Sequence, residues 1–164
     1  MRAASVFGLV VSVAALGCRA PPDYKEYAYQ SWGFAVSFRA PPRAMDSPAD
    51  GARAHTLLVE SDEAGRAQLV NVIDGSGSAK SEDQALSDAP ATLAKAVGGT
   101  LGPMTYAATG KVVGREFLLE RPGQPVSRVR VFVFNKKLYE VIAQSPLGPE
   151  DSETRTFLDS FRLL

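Results

Sequence analysis

One histidine and one cysteine are the only imidazole and thiol in the chain, and they bound its chemistry before anything else is read. A Ser-His-Asp triad would have to use His55, with Ser37, Ser127 or Ser145 as nucleophile. None of these serines stands in a Gly-x-Ser-x-Gly elbow, and Asp74-Gly75-Ser76-Gly77 lacks the strand-to-helix setting of one. A metal site would need His55 with carboxylates such as Asp46, Asp50 or Glu60, whose spacing follows no ligand pattern. The Asp-Gly-Ser-Gly-Ser run at 74–78 is not followed by the Gly-Lys-Ser/Thr of a phosphate loop and reads as a flexible connection. The residue types that remain favour recognition. Arg115, Arg128 and Arg130 can line one face of a meander and meet an anionic partner, against the plainer reading of charges on a solvated sheet face. Trp32, close to Tyr24, Tyr27 and Tyr29, can anchor a protein contact or simply belong to the core. The expectation is a protein without catalytic residues, cofactor or metal, and not an enzyme.

The first eighteen residues carry an address. Arg2 supplies a positive start, Ala3 to Leu16 is apolar or small, and Ala15-Leu16-Gly17 leads into Cys18. Such a run is too short for a membrane span and fits a secretory signal peptide over residues 1–17. The lone cysteine directly after the cut resembles the lipobox of bacterial lipoproteins. The resemblance implies that Cys18 becomes the N-terminus and carries lipid. It also implies a place in the bacterial cell envelope. Because Arg19 rather than Asp follows the cysteine, it implies the outer membrane, facing the periplasm. A thiol consumed in a thioether also removes the reactivity hazard of an unpaired cysteine.

Composition narrows the partners. Eighteen basic residues balance eighteen acidic ones, and losing Arg2 with the leader leaves one acidic residue in excess. No basic stripe is available to displace counterions from a nucleic acid. No polybasic cluster is available for anionic headgroups, so membrane attachment would rest on the lipid at Cys18. With no second cysteine there is no disulfide, and stability must come from packing.

The elements that would position these residues follow in order. Residues 18–30 read as a tether after Cys18, stiffened by Pro21-Pro22, whose second half can pack on a domain spanning 31–164. Phe34 to Phe38 alternates as a strand with Phe34, Val36 and Phe38 inward, ended by Pro41-Pro42. Residues 44–53 are polar and turn-rich, and read as a surface loop. Apolar runs at 55–60 and 67–73 predict a hairpin. Ser81 and Gln84 have capping-box spacing, which opens a helix with Leu86, Ala89, Leu93, Ala96 and Val97 on one face and Gly98-Gly99 as its stop. Pro90 predicts either a kink or a fresh start capped by Asp88. From Lys111 a three-stranded meander runs over 112–120, 126–134 and 138–143, with Asn135-Lys136 as a tight turn. Pro149 opens a last helix whose first turn holds Glu150, Asp151 and Glu153, and Phe157 and Phe161 face the core.

Strand, hairpin, helix, meander, helix is an α+β order with an antiparallel sheet. The Trp32-Gly33-Phe34 start of a strand, the central helix, the meander ending in Lys137-Leu138-Tyr139-Glu140-Val141 and the closing Phe157-Leu158-Asp159-Ser160-Phe161-Arg162 together resemble PsbP-like and DcrB-like domains. The resemblance covers about residues 30 to 164. It implies an α/β/α sandwich, a twisted antiparallel sheet flanked by helices. It also implies the company of envelope lipoproteins and accessory subunits without enzymatic activity, and it carries no site motif. The function expected is that of a membrane-tethered accessory domain binding another envelope protein. The alternative is a small-ligand receptor, or a weakly signalled enzyme, using a cleft between sheet and helix.

Overall fold

The computed structural model describes residues 23–49, 52–61, 65–75 and 81–164. The expected signal peptide over residues 1–17, Cys18, Arg19 and Pro21-Pro22 lie outside the described residues, as do Asp50 and residues 76–80 of the connection. Among the described residues, no helix is long and apolar enough to cross a membrane.

Among the described residues, ten strands form two antiparallel sheets and two helices pack on them, a mixed α+β fold dominated by strand. The small sheet pairs β1 (Lys25–Tyr29) with β2 (Phe34–Phe38) and β2 with β10 (Arg162–Leu163). The large sheet has the order β3-β4-β5-β9-β8-β7-β6. Its strands are β3 (Arg43–Ala49), β4 (Ala52–Glu60), β5 (Ala67–Asp74), β6 (Thr100–Thr109), β7 (Val112–Glu120), β8 (Ser127–Phe134) and β9 (Lys137–Gln144). Helix α1 (Glu82–Val97) covers one face of this sheet, and α2 (Ser152–Ser160) shares the other face with the small sheet.

Two cores result. Period-two alternation sends Leu57, Val59, Val70, Val72, Tyr139 and Val141 toward β2 and α2, where they meet Phe34, Phe38, Phe157 and Phe161. Phe161 stacks on Phe132 at 5.6 Å and on Phe34 at 5.5 Å, in offset contacts that aromatic rings favour. The alternate residues Phe117, Leu119, Val129, Val131, Val133 and Leu138 turn toward Ala85, Ala89, Leu93 and Ala94 of α1.

Several sequence expectations shift. Lys25–Tyr29 is a strand, so the folded part begins ahead of residue 31, inside the expected tether. Residues 43–49 pair with β4 instead of looping. This strand lies at a sheet edge, where Arg43 to Asp46 stay mostly exposed, so its polar, proline-containing pattern reads as a loop. The meander has four strands, because β6 precedes the three expected. Gly102 and Pro103 lie at an irregularity where the register with β7 slips between Leu101 and Met104, which masks the strand pattern.

Helix α1 runs unbroken through Pro90, and Asp88 accepts a hydrogen bond from Gln84 at 2.7 Å within it rather than capping a second helix. Ser81 caps it as the spacing predicts, and Gly98 closes it at φ 64°, a conformation that suits glycine. Its buried stripe is Ala85, Ala89, Pro90, Leu93 and Ala94, rotated from the expected one so that Val97 is 38% exposed. Pro149 lies ahead of α2, whose cap is Asp151. Finally, β7 carries Gly114 because β8 crosses tightly there: a Cβ would stand 2.1 Å from the Val131 carbonyl oxygen.

Candidate functional site

Register decides which arginines act together. Arg130 pairs with Glu116 across β7 and β8, whereas Arg115 pairs with Val131, one residue out of step. A single step flips a side chain to the opposite face. Arg128 and Arg130 therefore point toward α2 and Arg115 toward the α1 side, so the three do not line one face as the sequence suggested.

On the α2 side the arginines are consumed by carboxylates. Arg128 Nη2 donates to Glu116 Oε1 at 2.7 Å, and Arg130 Nε donates to Glu116 Oε2 at 2.5 Å. Arg128 also meets Glu150, and Arg130 Nη2 lies 2.7 Å from Asp159. Further along, Arg66 Nη1 bonds Asp151 at 2.8 Å and Glu153 at 3.1 Å, and Arg39 bonds Glu153 at 3.0 Å. Burial would raise the Glu116 carboxyl, but hydrogen bonds from Arg130 and Arg128 outweigh it and hold its pKa below the ordinary value. Asp151 is likewise lowered: hydrogen bonds from Ser145, Arg66 and the Glu153 amide overcome its desolvation. The acidic start of α2 thus serves as a clamp onto the sheet as well as a partner to the helix dipole.

His55 is similarly occupied. Its Nδ1 lies 2.8 Å from Asp46 Oδ1, its Nε2 lies 3.7 Å from Asp74, and its ring stacks on Trp32 at 4.8 Å. Trp32 also stacks on Tyr29 at 5.2 Å, and its carbonyl accepts from the Tyr139 hydroxyl at 2.9 Å. Burial, with the charge of Asp74 adding to it, pushes the Tyr139 phenol up to about 12. Trp32 packs against the core through these rings. No serine hydrogen-bonds His55 among the described residues. Ser37 donates its backbone N–H to Ser160 Oγ at 3.0 Å, Ser127 is buried, and Ser145 Oγ donates to Asp151 at 2.6 Å. Among the described residues no three His, Cys, Asp or Glu side chains gather as a metal-holding group.

Arg115 has a different environment. Its guanidinium lies 4.4 Å from the centre of the Tyr106 ring, across the β6–β7 pair, and no carboxylate among the described residues pairs with it. Tyr106 is 73% exposed, and Met104 and Val113 on the same face are 44% and 56% exposed. These residues form a continuous apolar surface on the part of the hairpin that α1 leaves uncovered. Tyr106 and Met104 escaped the sequence reading because the strand that carries them did; their alternation with Thr105 and Ala107 was the available signal.

No protein-family profile matches the sequence, and no curated protein matches it. Among solved structures, the chain is similar to the solution structure of cyanobacterial PsbP (CyanoP) from Synechocystis sp. PCC 6803, with a TM-score of 0.60 and 11% identity, covering 93% of this chain and 99% of that one. At that identity the likeness concerns the fold, which is PsbP-like.

Proposed function

We propose that this chain is a non-enzymatic envelope lipoprotein, an asymmetric PsbP-like α/β/α sandwich tethered by lipid on Cys18, that docks on another envelope protein through the β6–β7 face. The observation that carries the reading is the exposed Met104, Tyr106 and Val113 beside an Arg115 that has no carboxylate partner among the described residues. Tyrosine and arginine are the side chains that most often anchor protein interfaces. An apolar strip next to one uncompensated cation fits a partner surface that presents an acidic side chain beside an apolar pocket. Nucleic acid has no complementary surface in a chain with balanced charge. Trp32, Arg128 and Arg130, also candidates from sequence, already hold intramolecular partners and contribute to the scaffold of this reading.

The test is crosslinking in intact cells from a photoreactive residue at position 106, followed by mass spectrometry. One reproducible envelope protein is expected, lost in Arg115→Glu and retained when the photoreactive group is moved to position 155 on α2 only if the partner wraps the domain. Repeated capture of nothing, with a purified chain that turns over a substrate, would overturn the reading. The anchor is checked separately: Cys18→Ser should move the protein from the membrane to the soluble fraction, and unchanged membrane association would remove the lipid from the proposal.

A further inference from the structure

A second feature of the α1 side is independent of the docking face. Between the C-terminal turn of α1 and the large sheet lies an open cleft of about 420 Å³. Its floor is Leu58, Leu69, Leu119 and Ile142, from four different strands, and its helix wall is Leu93 and Val97. That volume falls within the roughly 300–1,000 Å³ of small-molecule pockets, which combine apolar walls with a few polar groups that orient the ligand.

The polar group here is Arg121. Arg121 lines the cleft, and its Nη2 donates to Gln144 Oε1 at 3.3 Å. Gln144 is fixed in turn by donating through Nε2 to the Pro125 carbonyl at 2.9 Å, which presents its oxygen to the arginine. Among the described residues Arg121 Nε is enclosed and has no acceptor, and no carboxylate pairs with this side chain. A guanidinium met by one neutral amide and by an unfilled N–H is an uncompensated cation. The carboxylate on the rim, Glu60, is exposed, lies 3.9 Å from Arg43, and sits two strands away from Gln144, about 10 Å at ordinary strand spacing. The position of Arg121 is also built: Gly99 at the end of α1 comes so close that a Cβ would stand 2.9 Å from the Glu120 carbonyl oxygen and 3.3 Å from Arg121 Cγ.

We propose that this cleft binds a small amphipathic anion, with an unbranched apolar tail against Leu58, Leu69, Leu93 and Ile142 and an acidic head at Arg121. Arginine suits the head because its planar fork offers two parallel N–H donors to a carboxylate or phosphate. Bulky or cationic molecules do not satisfy both ends of the site.

The experiment titrates the full chain calorimetrically with dodecanoate below its micelle concentration, and in parallel with acetate and dodecyltrimethylammonium. Saturable binding of one dodecanoate per chain is expected, with none for acetate or the cationic amphiphile. Arg121→Gln should weaken dodecanoate about tenfold, the worth of one charge-assisted contact. Val97→Glu, at an exposed position on the rim, should abolish binding while leaving the thermal unfolding midpoint near that of the wild type. If Arg121→Gln does not fold, Val97→Glu decides alone. No saturable dodecanoate binding, equal binding by the cationic amphiphile, or binding retained in Val97→Glu would each overturn the proposal. Tyr106→Ala should leave the titration unchanged, so failure here is distinguishable from failure of the docking face.

Discussion

On the α2 side of the large sheet, Arg128 and Arg130 end in carboxylates drawn from β7, α2 and the turn before it. On the α1 side, Arg115 ends against an exposed tyrosine and Arg121 against one neutral amide. The four come from two neighbouring strands and the turn that joins them. What separates them is strand parity, and then which helix arrives on each face. Helix α2 brings Asp151, Glu153 and Asp159 to its sheet, so cations there are tied up in structure. Helix α1 brings small apolar side chains and stops short of the outer hairpin, which leaves cations available.

The strongest way to break this comparison is through packing. Phe157→Ala removes a fully buried ring that contacts Phe38 at 5.4 Å and should cost about 3–5 kcal/mol in urea unfolding. Leu93→Ala should cost only about 2 kcal/mol, the bottom of the usual range, because the cleft already leaves one side of Leu93 unpacked. Equal costs would mean the two cores are packed alike. Next in size is the charge contrast. Glu116→Gln leaves two largely buried guanidinium groups without their shared carboxylate and should lose about 3 kcal/mol. Arg115→Ala should stay within about 0.5–1 kcal/mol. A large loss in Arg115→Ala would assign that arginine to the scaffold too.

The smallest expected effect concerns pH. Glu140 lies on the α1 side, 5% exposed, accepting from Asn71 Nδ2 at 2.9 Å, while Thr56 donates to Asn71 at 3.1 Å. Burial raises its pKa, and the Asn71 bond only partly offsets this. The folded chain therefore holds that proton at pH values where the unfolded chain has released it, and stability falls as pH rises from the ordinary glutamate value through the raised one. Glu116 and Asp151 do the reverse: their contribution is present above the ordinary carboxylate pKa and is lost as pH falls through their lowered values. Glu140→Gln should thus gain on the order of 1 kcal/mol at pH 7 and nothing at pH 4, measured as unfolding midpoints across pH. A gain independent of pH would assign the effect to packing instead.

Legibility in the sequence followed the range of the interaction. The Ser81 cap, the Gly98 stop and the Asn135-Lys136 turn, at φ 51° and 61°, were readable because each depends on residues within a few positions. The strands β2, β7, β8 and β9 were readable because one or both faces are buried and period two is plain. The edge strands β3 and β6 were not, since an edge tolerates the polar residues, glycine and proline that otherwise signal loops. The candidate sites were least legible. The Arg66–Asp151 pair spans 85 positions, and the cleft draws its lining from one helix, five strands and a turn. Such contacts depend on register and crossing, which no local pattern encodes.

The two free edges of the large sheet each carry a proline, Pro48 in β3 and Pro103 in β6. A second copy arriving to extend the sheet would need an uninterrupted row of N–H donors, and proline, which has none to give, is one of the residues that edge strands use against such pairing. At β6 the register slip at Gly102 and Pro103 also moves the flanking amides out of line. The hairpin can therefore offer Tyr106 and Met104 to a partner without becoming a template for ribbon growth from one molecule to the next. Side-chain recognition is then favoured over strand addition at this edge.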